Sequence, residues 1–383
     1  MHIKNTLRSL LSYYRKSTSL RQIKKELGTS LNTNDLFKND IIKCFESRIL
    51  DTNNNDIIDR IIVSYNKSKE IQKNLSSAYQ VGNEWLPIYN SYMYDIMNAL
   101  KKKDINAVKK IYENFMREDC SVGLHGLSFD MKNSYFKKSI SKIDRELFFL
   151  DTIYRYNHWQ QLTDFKYTSK DLIMPNYGNP YGIYDGDNFI RTGSEYLHYY
   201  SHLINKLLIN KTTRKYIVEL GGGYGGLAYF LNKNVTNLTF IDFDLPENMA
   251  LTAYYLLSSF PEKKVLLFGE ADLNETIIND YDIILMPNFE LSKLPTNTID
   301  LIFNSYSLAE MTSETINEYI PQLMRSSNGY ILHINHAKKS YSLKADEFGI
   351  TSDKFELVYK KPALWNMGRN VNMDEFEYLY KKK

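Results

Sequence analysis

The chain has 383 residues, of which 48 are lysine or arginine and 45 are aspartate or glutamate, so its net charge is only +3. This balance argues against a dedicated nucleic-acid-binding protein, and the 43% of hydrophobic residues argues against disorder. The two cysteines, Cys44 and Cys120, lack the spacing of a disulfide framework or a metal site, and no apolar run reaches the ~20 residues that span a bilayer. We therefore expect a cytoplasmic globular protein.

Residues 1–165 have the pattern of a mainly helical N-terminal domain. Apolar side chains recur at spacings of three and four within 55–75, 91–116 and 139–162. We expect this domain to contact the substrate or another copy of the chain, and the second alternative would make the protein a homo-oligomer. The basic N-terminus leaves peripheral contact with an anionic membrane as an alternative to an ordinary solvated helix.

Residues 166–212 form a predicted connecting segment. Gly, Pro, Asn, Asp and Tyr dominate 170–194, which favours a structured loop or hairpin that serves as a lid or as a wall of the substrate site. A helix follows at 194–210, with Ser194 as its predicted N-cap.

Some side chains of this segment allow more than one interpretation. His198 and His202 have the i, i+4 spacing of metal ligands, with Glu195 one turn earlier, but no further ligand cluster accompanies them, so we predict no metal. Arg191 is a candidate partner for the carboxylate of a cofactor or for an acidic sugar, and a surface salt bridge is the alternative.

Residues 213–383 alternate between short apolar strands and helices. This alternation predicts right-handed crossovers and an α/β fold with a parallel, Rossmann-like sheet covered by helices on both faces. Two further strand candidates, 355–366 and 375–383, are expected to add an antiparallel pair at one sheet edge. The other predicted elements are strands at 215–220, 237–244, 263–270, 282–288, 298–307 and 329–335, and helices at 225–233, 246–260 and 313–327.

A run of glycines between the first of these strands and its helix, 221–226, is the strongest functional signal. Gly221, Gly223 and Gly226 match G-x-G-x-x-G, which is typical of dinucleotide sites and leaves a NAD-dependent nucleotide-sugar oxidoreductase or dehydratase as an alternative function. We interpret the bare backbone as room for a ligand to pass close to the chain at the N-terminus of the helix.

Two carboxylates beside this loop favour S-adenosylmethionine (SAM) over a dinucleotide. Glu219 ends the first strand, where it would repel a pyrophosphate but attract the ammonium group of SAM. Asp244 ends the second strand, where a carboxylate can accept hydrogen bonds from both ribose hydroxyls. Asp242 points to the same sheet face and is the alternative ribose ligand. SAM is therefore the predicted cofactor.

The end of the strand at 282–288 is the predicted adenine site. Asn288 offers a polar group to the edge of the base and Phe289 lies beside it, although a plain strand-to-helix turn is the alternative. Glu270 is the alternative adenine contact in place of Asn288 and Phe289 if the strand at 263–270 lies next to the adenine. The predicted cofactor-binding residues are Glu219, Gly221, Gly223, Tyr224, Gly225, Asp244, Leu245, Asn288, Phe289 and Asn304.

Four stretches of the chain, VELGGGYGGLAYFL, FIDFDLPENMALTAYYL, IDLIFNSYSLAEM and GNPYGIY, resemble the sugar O-methyltransferase family of bacterial surface-polysaccharide biosynthesis. The resemblance covers residues 170–340, and GNPYG and SLAEM are the pieces that indicate the sugar branch. It implies a Rossmann-like class I SAM methyltransferase fold. It also implies transfer of a methyl group from SAM to a sugar hydroxyl of a nucleotide-linked or lipid-linked glycan precursor.

Transfer to a hydroxyl requires a base near the end of the strand at 298–307, where Asn304, Tyr306 and Ser307 also lie. Glu310 is the predicted base; the alternatives are that it binds a sugar hydroxyl or only stabilises a helix dipole. His336, at the end of the strand at 329–335, is the alternative base because an imidazole exchanges a proton near neutral pH.

Overall fold

The computed structural model describes residues 2–27, 43–50, 55–124, 141–337, 343–350, 353–363 and 375–383. Before residue 165, the regular elements of these ranges are helical. The longer helices are α1 (His2–Leu27), α2 (Asn55–Gln72), α3 (Leu86–Ser91), α4 (Tyr94–Lys102), α5 (Ile105–Tyr112) and α6 (Lys142–Leu162).

The predicted helical stretch 91–116 is divided into α4 and α5. Helix α4 ends at Lys102 and is capped by Lys103, whose backbone adopts the left-handed conformation with φ of 58°. Asp104 then caps α5, because its carboxylate accepts a hydrogen bond of 3.0 Å from the backbone N–H of Ala107.

The connecting segment contains a β-hairpin, in which β1 (Gly182–Asp185) pairs antiparallel with β2 (Asn188–Arg191). Helix α7 (Ser194–Leu207) follows directly. The predicted N-cap at Ser194 is wrong by one residue: Gly193 occupies the cap position, and the Ser194 hydroxyl donates to the backbone carbonyl of Arg191 at 2.6 Å.

The rest of the chain alternates strands with helices, as predicted. The strands are β3 (Lys215–Leu220), β4 (Leu238–Asp244), β5 (Val265–Leu267), β6 (Ile283–Pro287), β7 (Ile299–Ser305), β8 (Ser327–His336), β9 (Phe355–Pro362) and β10 (Glu375–Lys382). The intervening helices are α8 (Gly226–Asn234), α9 (Pro246–Ser259), α10 (Glu275–Asp280) and α11 (Ser313–Ser326).

These described strands form one sheet in the order β5-β6-β4-β3-β7-β8-β10-β9. The strands from β5 to β8 pair in parallel, and β10 runs antiparallel between β8 and β9. The prediction of a parallel sheet with an antiparallel pair at one edge is thus confirmed, although 364–366 of the predicted strand at 355–366 lie outside the described residues. Strand β5 is shorter than predicted, so Glu270 does not end it and instead binds Arg60.

The register of the sheet places the polar ends of neighbouring strands side by side. Glu219 of β3 pairs with Asp242 of β4, and Leu220 pairs with Asn304 of β7. In an open parallel sheet, ligands bind outside the carboxyl ends of the strands. The fold therefore brings the predicted cofactor residues and the predicted base to one edge of the sheet.

Candidate active site

A cavity of about 450 Å³ lies at the carboxyl ends of β3, β4 and β7. This volume is in the range of sites for small molecules. Distant parts of the described chain supply its walls: Trp85 precedes α3, Arg191 ends β2, and Glu375 begins β10. The cavity is thus enclosed jointly by the helical part, the hairpin and the sheet.

The glycine loop packs tightly against the protein's own side chains. A Cβ at Gly221, where φ is 79°, would lie 2.5 Å from Ser307 Oγ. A Cβ at Gly222 would lie 2.7 Å from Asp242 Oδ1, whereas its N–H donates to that oxygen over 3.1 Å. The glycine pattern predicts room for a closely passing ligand. At these two positions that explanation needs correction, because crowding within the protein already requires glycine.

Glu219 and Asp244 both face the cavity, but their surroundings differ. Glu219 is 5% exposed, and its Oε2 has no hydrogen-bond partner among the described residues. Burial, followed by the nearby Asp244 carboxylate, raises the pKa of Glu219. Asp244 accepts hydrogen bonds from the backbone N–H groups of Leu245 (2.7 Å) and Gly223 (3.3 Å) and from the Asn248 amide (3.0 Å). The Asp244 carboxylate therefore accepts several hydrogen bonds, whereas Glu219 Oε2 accepts none from the described residues.

Asp242 lies behind the glycine loop and outside the lining of the cavity. It is fully buried, and its Oδ2 has no hydrogen-bond partner among the described residues. Burial raises its pKa well above the usual value, and the charges of Asp244 and Glu219 add to that effect. Of the two predicted ribose ligands, Asp244 is the one that faces the cavity.

Arg191 presents a buried positive charge to the cavity. Arg191 is only 4% exposed, and its guanidinium lies 4.2 Å from the centre of the Tyr224 ring. It donates to the Tyr224 hydroxyl and to Met174 Sδ (3.5 Å), and it forms no ion pair with a carboxylate of the described residues. Because a buried guanidinium is normally paired with an anion, this group is suited to bind an anionic part of a ligand.

Glu310 lies in a helical turn (Ser307–Glu310) that directly follows β7, and its carboxylate faces the cavity. Its Oε2 accepts a hydrogen bond of 2.7 Å from the indole N–H of Trp85. Burial raises the pKa of Glu310 to about 7, although the Trp85 hydrogen bond lowers it in part. A carboxylate with this pKa can take up and release a proton at neutral pH.

Tyr306 has an uncommon backbone conformation, with φ of 66°. Such a φ is strained for a bulky residue, and strain of this kind often marks a functional site. The Tyr306 hydroxyl donates to Glu375 Oε2 over 2.9 Å, and both side chains line the cavity. The other oxygen of Glu375 lies 3.6 Å from His336 Nδ1. His336, the alternative base, therefore lies behind Glu375 and outside the lining.

Most of the predicted site residues converge on the cavity. Asn304, however, bridges strands: its amide donates to the carbonyl of Leu220 (2.8 Å), and its Oδ1 accepts from Asn335 (2.9 Å). Phe289 packs edge-on against Phe268. Those that line the cavity are Glu219, Gly221, Gly223, Tyr224, Asp244, Leu245, Asn288 and Glu310; those outside the lining are Gly225, Phe289, Asn304 and His336.

The histidines of α7 are bound to aromatic neighbours. Trp159 donates to His198 Nδ1 (3.2 Å), and the Tyr167 hydroxyl lies 2.8 Å from His202 Nδ1. Burial lowers the pKa of His198 to about 4. Within the described ranges no group of His, Cys, Asp and Glu side chains is arranged to hold a metal, and no helix there is long and apolar enough to cross a membrane.

Trp85 and Glu375 were not predicted as site residues. Trp85 lies in a stretch without clear periodicity, and Glu375 lies in a strand whose pattern indicates only a sheet edge. They are separated from Glu310 by long segments of chain, so a local pattern has no signal that joins them. The GNPYGIY stretch was the available indication that residues upstream of the glycine loop contribute to the site.

No model of a known protein family matches the chain, and no curated protein matches it. Solved structures do resemble it. A TehB-like SAM-dependent methyltransferase from Corynebacterium glutamicum is 14% identical, with 48% of this chain and 86% of that one covered and a TM-score of 0.33. A SAM-dependent methyltransferase from Aquifex aeolicus is 16% identical, with 46% of this chain and 88% of that one covered and a TM-score of 0.29.

A third similar structure is magnesium protoporphyrin IX methyltransferase from Synechocystis PCC 6803 with bound SAM. It is 9% identical, with 60% of this chain and 91% of that one covered and a TM-score of 0.34. In the sheet of this chain, the parallel strands β5 to β8 are followed by the antiparallel strand β10, which lies next to the edge strand β9. This topology confirms the predicted α/β fold with a parallel, Rossmann-like sheet.

Proposed function

We propose that this protein is a SAM-dependent O-methyltransferase that methylates a sugar hydroxyl of a nucleotide-linked or lipid-linked glycan precursor. One observation carries the proposal. Three groups face the same cavity: Glu219, whose Oε2 has no hydrogen-bond partner among the described residues; Arg191, which forms no ion pair with a described carboxylate; and Glu310, whose pKa is about 7. The first two suit the amino-acid group of SAM, and the third suits a base for the acceptor.

The charges of the cavity match the parts of SAM in order along the sheet edge. Glu219 would bind the ammonium group. Arg191 lies over the ring of Tyr224, a residue of the glycine loop, and would bind the carboxylate. Asp244 would accept hydrogen bonds from the ribose hydroxyls, and Asn288 would contact the adenine. A dinucleotide fits less well, because its pyrophosphate would lie against the carboxylates of Glu219 and Asp244.

SAM itself supplies the electrophilic methyl group and the sulfonium leaving group. The acceptor oxygen attacks the methyl carbon, the carbon–sulfur bond breaks, and S-adenosylhomocysteine leaves with the bond electrons. The protein has to orient the hydroxyl and accept its proton, and this proton would go to Glu310. Orientation and a general base are the main contributions that a protein can make to such a reaction.

Aromatic side chains supply part of the remaining wall of the cavity. Tyr306, Tyr196 and Trp85 combine a flat apolar ring with a polar tip, and the Tyr196 hydroxyl lies 2.7 Å from Ser305 Oγ. Such rings can pack against the C–H face of a sugar while their polar groups meet its hydroxyls. This lining supports a carbohydrate acceptor, with Tyr181, Tyr200 and Phe148 further along the wall.

The proposal is tested by transfer of a labelled methyl group from SAM to a panel of nucleotide-linked hexoses and lipid-linked glycans. Glu310→Gln should lower turnover about 10²–10⁴-fold and leave SAM affinity unchanged. Glu262→Gln, at an exposed position, is the matched control. Calorimetry with SAM and NAD separates the two cofactors, and tight binding of NAD with no binding of SAM would refute the proposal.

A further inference from the structure

Three carboxylates lie together beneath the glycine loop, and the hydrogen bonds that they accept are distributed unequally among them. Glu219 and Asp242 are direct neighbours in the parallel register of β3 and β4, and Asp244 is two residues further along β4. All three are at least nine-tenths buried. Like charges at such positions oppose one another, so full ionisation of the cluster is unfavourable.

The hydrogen bonds distinguish Asp244 from the other two carboxylates. Burial raises the pKa of Asp244 to about 6, although the three hydrogen bonds that it accepts lower it in part, whereas Glu219 Oε2 and Asp242 Oδ2 have no partner among the described residues. Asp242 Oδ1 accepts the N–H of Gly222, at the point where the loop has no room for a Cβ, and the backbone of Phe243 also bonds to the Asp242 carboxylate. Glu219 and Asp242 are consequently the pair that is short of a positive partner.

Among the residues that the structure describes, no lysine, arginine or histidine pairs with Glu219 or Asp242. Arg191 is bonded to Tyr224, and Lys69 lies 2.7 Å from Glu247. The titratable groups that interact electrostatically with the cluster are neutral phenols or further acids: Tyr89, Tyr196, Tyr224, Glu247, Glu310 and Tyr319.

We propose that Glu219 and Asp242 share one proton in the ligand-free protein, and that an ammonium-bearing adenosyl ligand expels this proton when it binds. The inference rests on the proposed function, because SAM and its product S-adenosylhomocysteine are the adenosyl ligands in question. The ammonium group takes the position of the missing positive charge beside Glu219, and the displaced proton goes to the solvent. Asp242 touches no ligand and acts through Glu219 as a specificity-determining residue.

This arrangement makes the site selective for ligands with an ammonium group. A nucleoside without that group leaves the proton in place, because it offers no charge to stabilise a second carboxylate. 5′-Methylthioadenosine is such a ligand, since it keeps the adenosine and the sulfur but lacks the amino-acid part. S-adenosylhomocysteine keeps the ammonium and is chemically inert, so it is the suitable probe.

The test is calorimetry of S-adenosylhomocysteine binding in two buffers of different ionisation enthalpy, at several pH values from 5.5 to 7. We expect release of nearly one proton per ligand in this range, with affinity rising up to about tenfold per pH unit. 5′-Methylthioadenosine should bind with no proton release. Binding of S-adenosylhomocysteine without proton release, and with the same affinity across the range, would overturn the inference while leaving the proposed function intact.

Asp242→Asn removes one of the two carboxylates that share the proton. The variant removes a like charge from beside Glu219, so the pH range in which the ligand releases a proton should move to lower pH, whereas Asp272→Asn, at an exposed position, should behave as the wild type. An unchanged pH range in Asp242→Asn would contradict the shared proton. If Asp242→Asn does not fold, the wild-type comparison of the two ligands still decides the matter. Failure of both S-adenosylhomocysteine and SAM to bind would overturn the proposed function and this inference together.

Discussion

Replacing Glu310 by glutamine is expected to stabilise the protein at pH 8 and to do much less at pH 5. The pKa of Glu310 in the folded protein is about 7, compared with an ordinary value of 4.5. This difference corresponds to about 3 kcal/mol that the folded state loses when Glu310 ionises. Glutamine keeps an oxygen that can accept the Trp85 hydrogen bond, but it carries no charge.

The sign follows from the raised pKa. Stability associated with protonated Glu310 is fully present below about pH 4.5 and is lost as the pH rises through 7. The gain of Glu310→Gln over the wild type should therefore be about 3 kcal/mol at pH 8 and under about 1 kcal/mol at pH 5. Urea unfolding at both pH values measures it, with Glu262→Gln as the exposed control. An equal gain at both pH values, or none at pH 8, would refute the assignment of a costly buried charge to Glu310.

Further predictions concern the cofactor site and the base. Turnover should rise with pH and level off above about 7, because only ionised Glu310 accepts a proton; a flat profile would exclude it as the base. Asp244→Ala should weaken SAM binding at least about tenfold, or about 1.4 kcal/mol, by calorimetry, and unchanged affinity would place the ribose contact elsewhere. Arg191→Met should weaken binding of S-adenosylhomocysteine but not of 5′-methylthioadenosine, and equal weakening would contradict a carboxylate contact. Gly222→Ala should lower the Tm, because its Cβ would meet Asp242; an unchanged Tm would mean that the loop gives way.

The site illustrates a conflict between stability and function. Glu219, Asp242 and Glu310 are acidic side chains placed where burial disfavours their charge. Apolar or amide side chains of similar size would cost the folded state less. Their presence together at one sheet edge is readily explained by a cationic ligand and a proton acceptor, and the predicted stability gain of Glu310→Gln would measure part of that cost.

The order of strands and helices after residue 213 could be predicted because it depends on local pattern. Short apolar runs, a glycine loop and Pro246 at a helix start each specify the backbone within a few residues. For the same reason the sequence could place the acids Glu219 and Asp244 at the strand ends, and their contact with a ligand stays a prediction. In a parallel sheet, residues at the carboxyl ends of the strands meet at one edge whatever the details of packing.

Other features of the site depend on contacts between distant segments, which a local pattern does not contain. Trp85 reaches Glu310 from the helical part, and Glu375 reaches Tyr306 from the last strand. The same limit applies to the glycines: their spacing indicated a ligand, but the crowding at Gly222 comes from Asp242, twenty residues along the chain and one strand away.

The amino-acid sequence by itself determined which residue types stand at the strand ends, and with them the class of fold and the kind of ligand that a row of acids and glycines favours. Tertiary structure alone decided which acid faces the cavity, which lies behind the loop, and what charge each can hold. Those properties arise from burial and from partners that approach through space, and the chain order of residues does not record them.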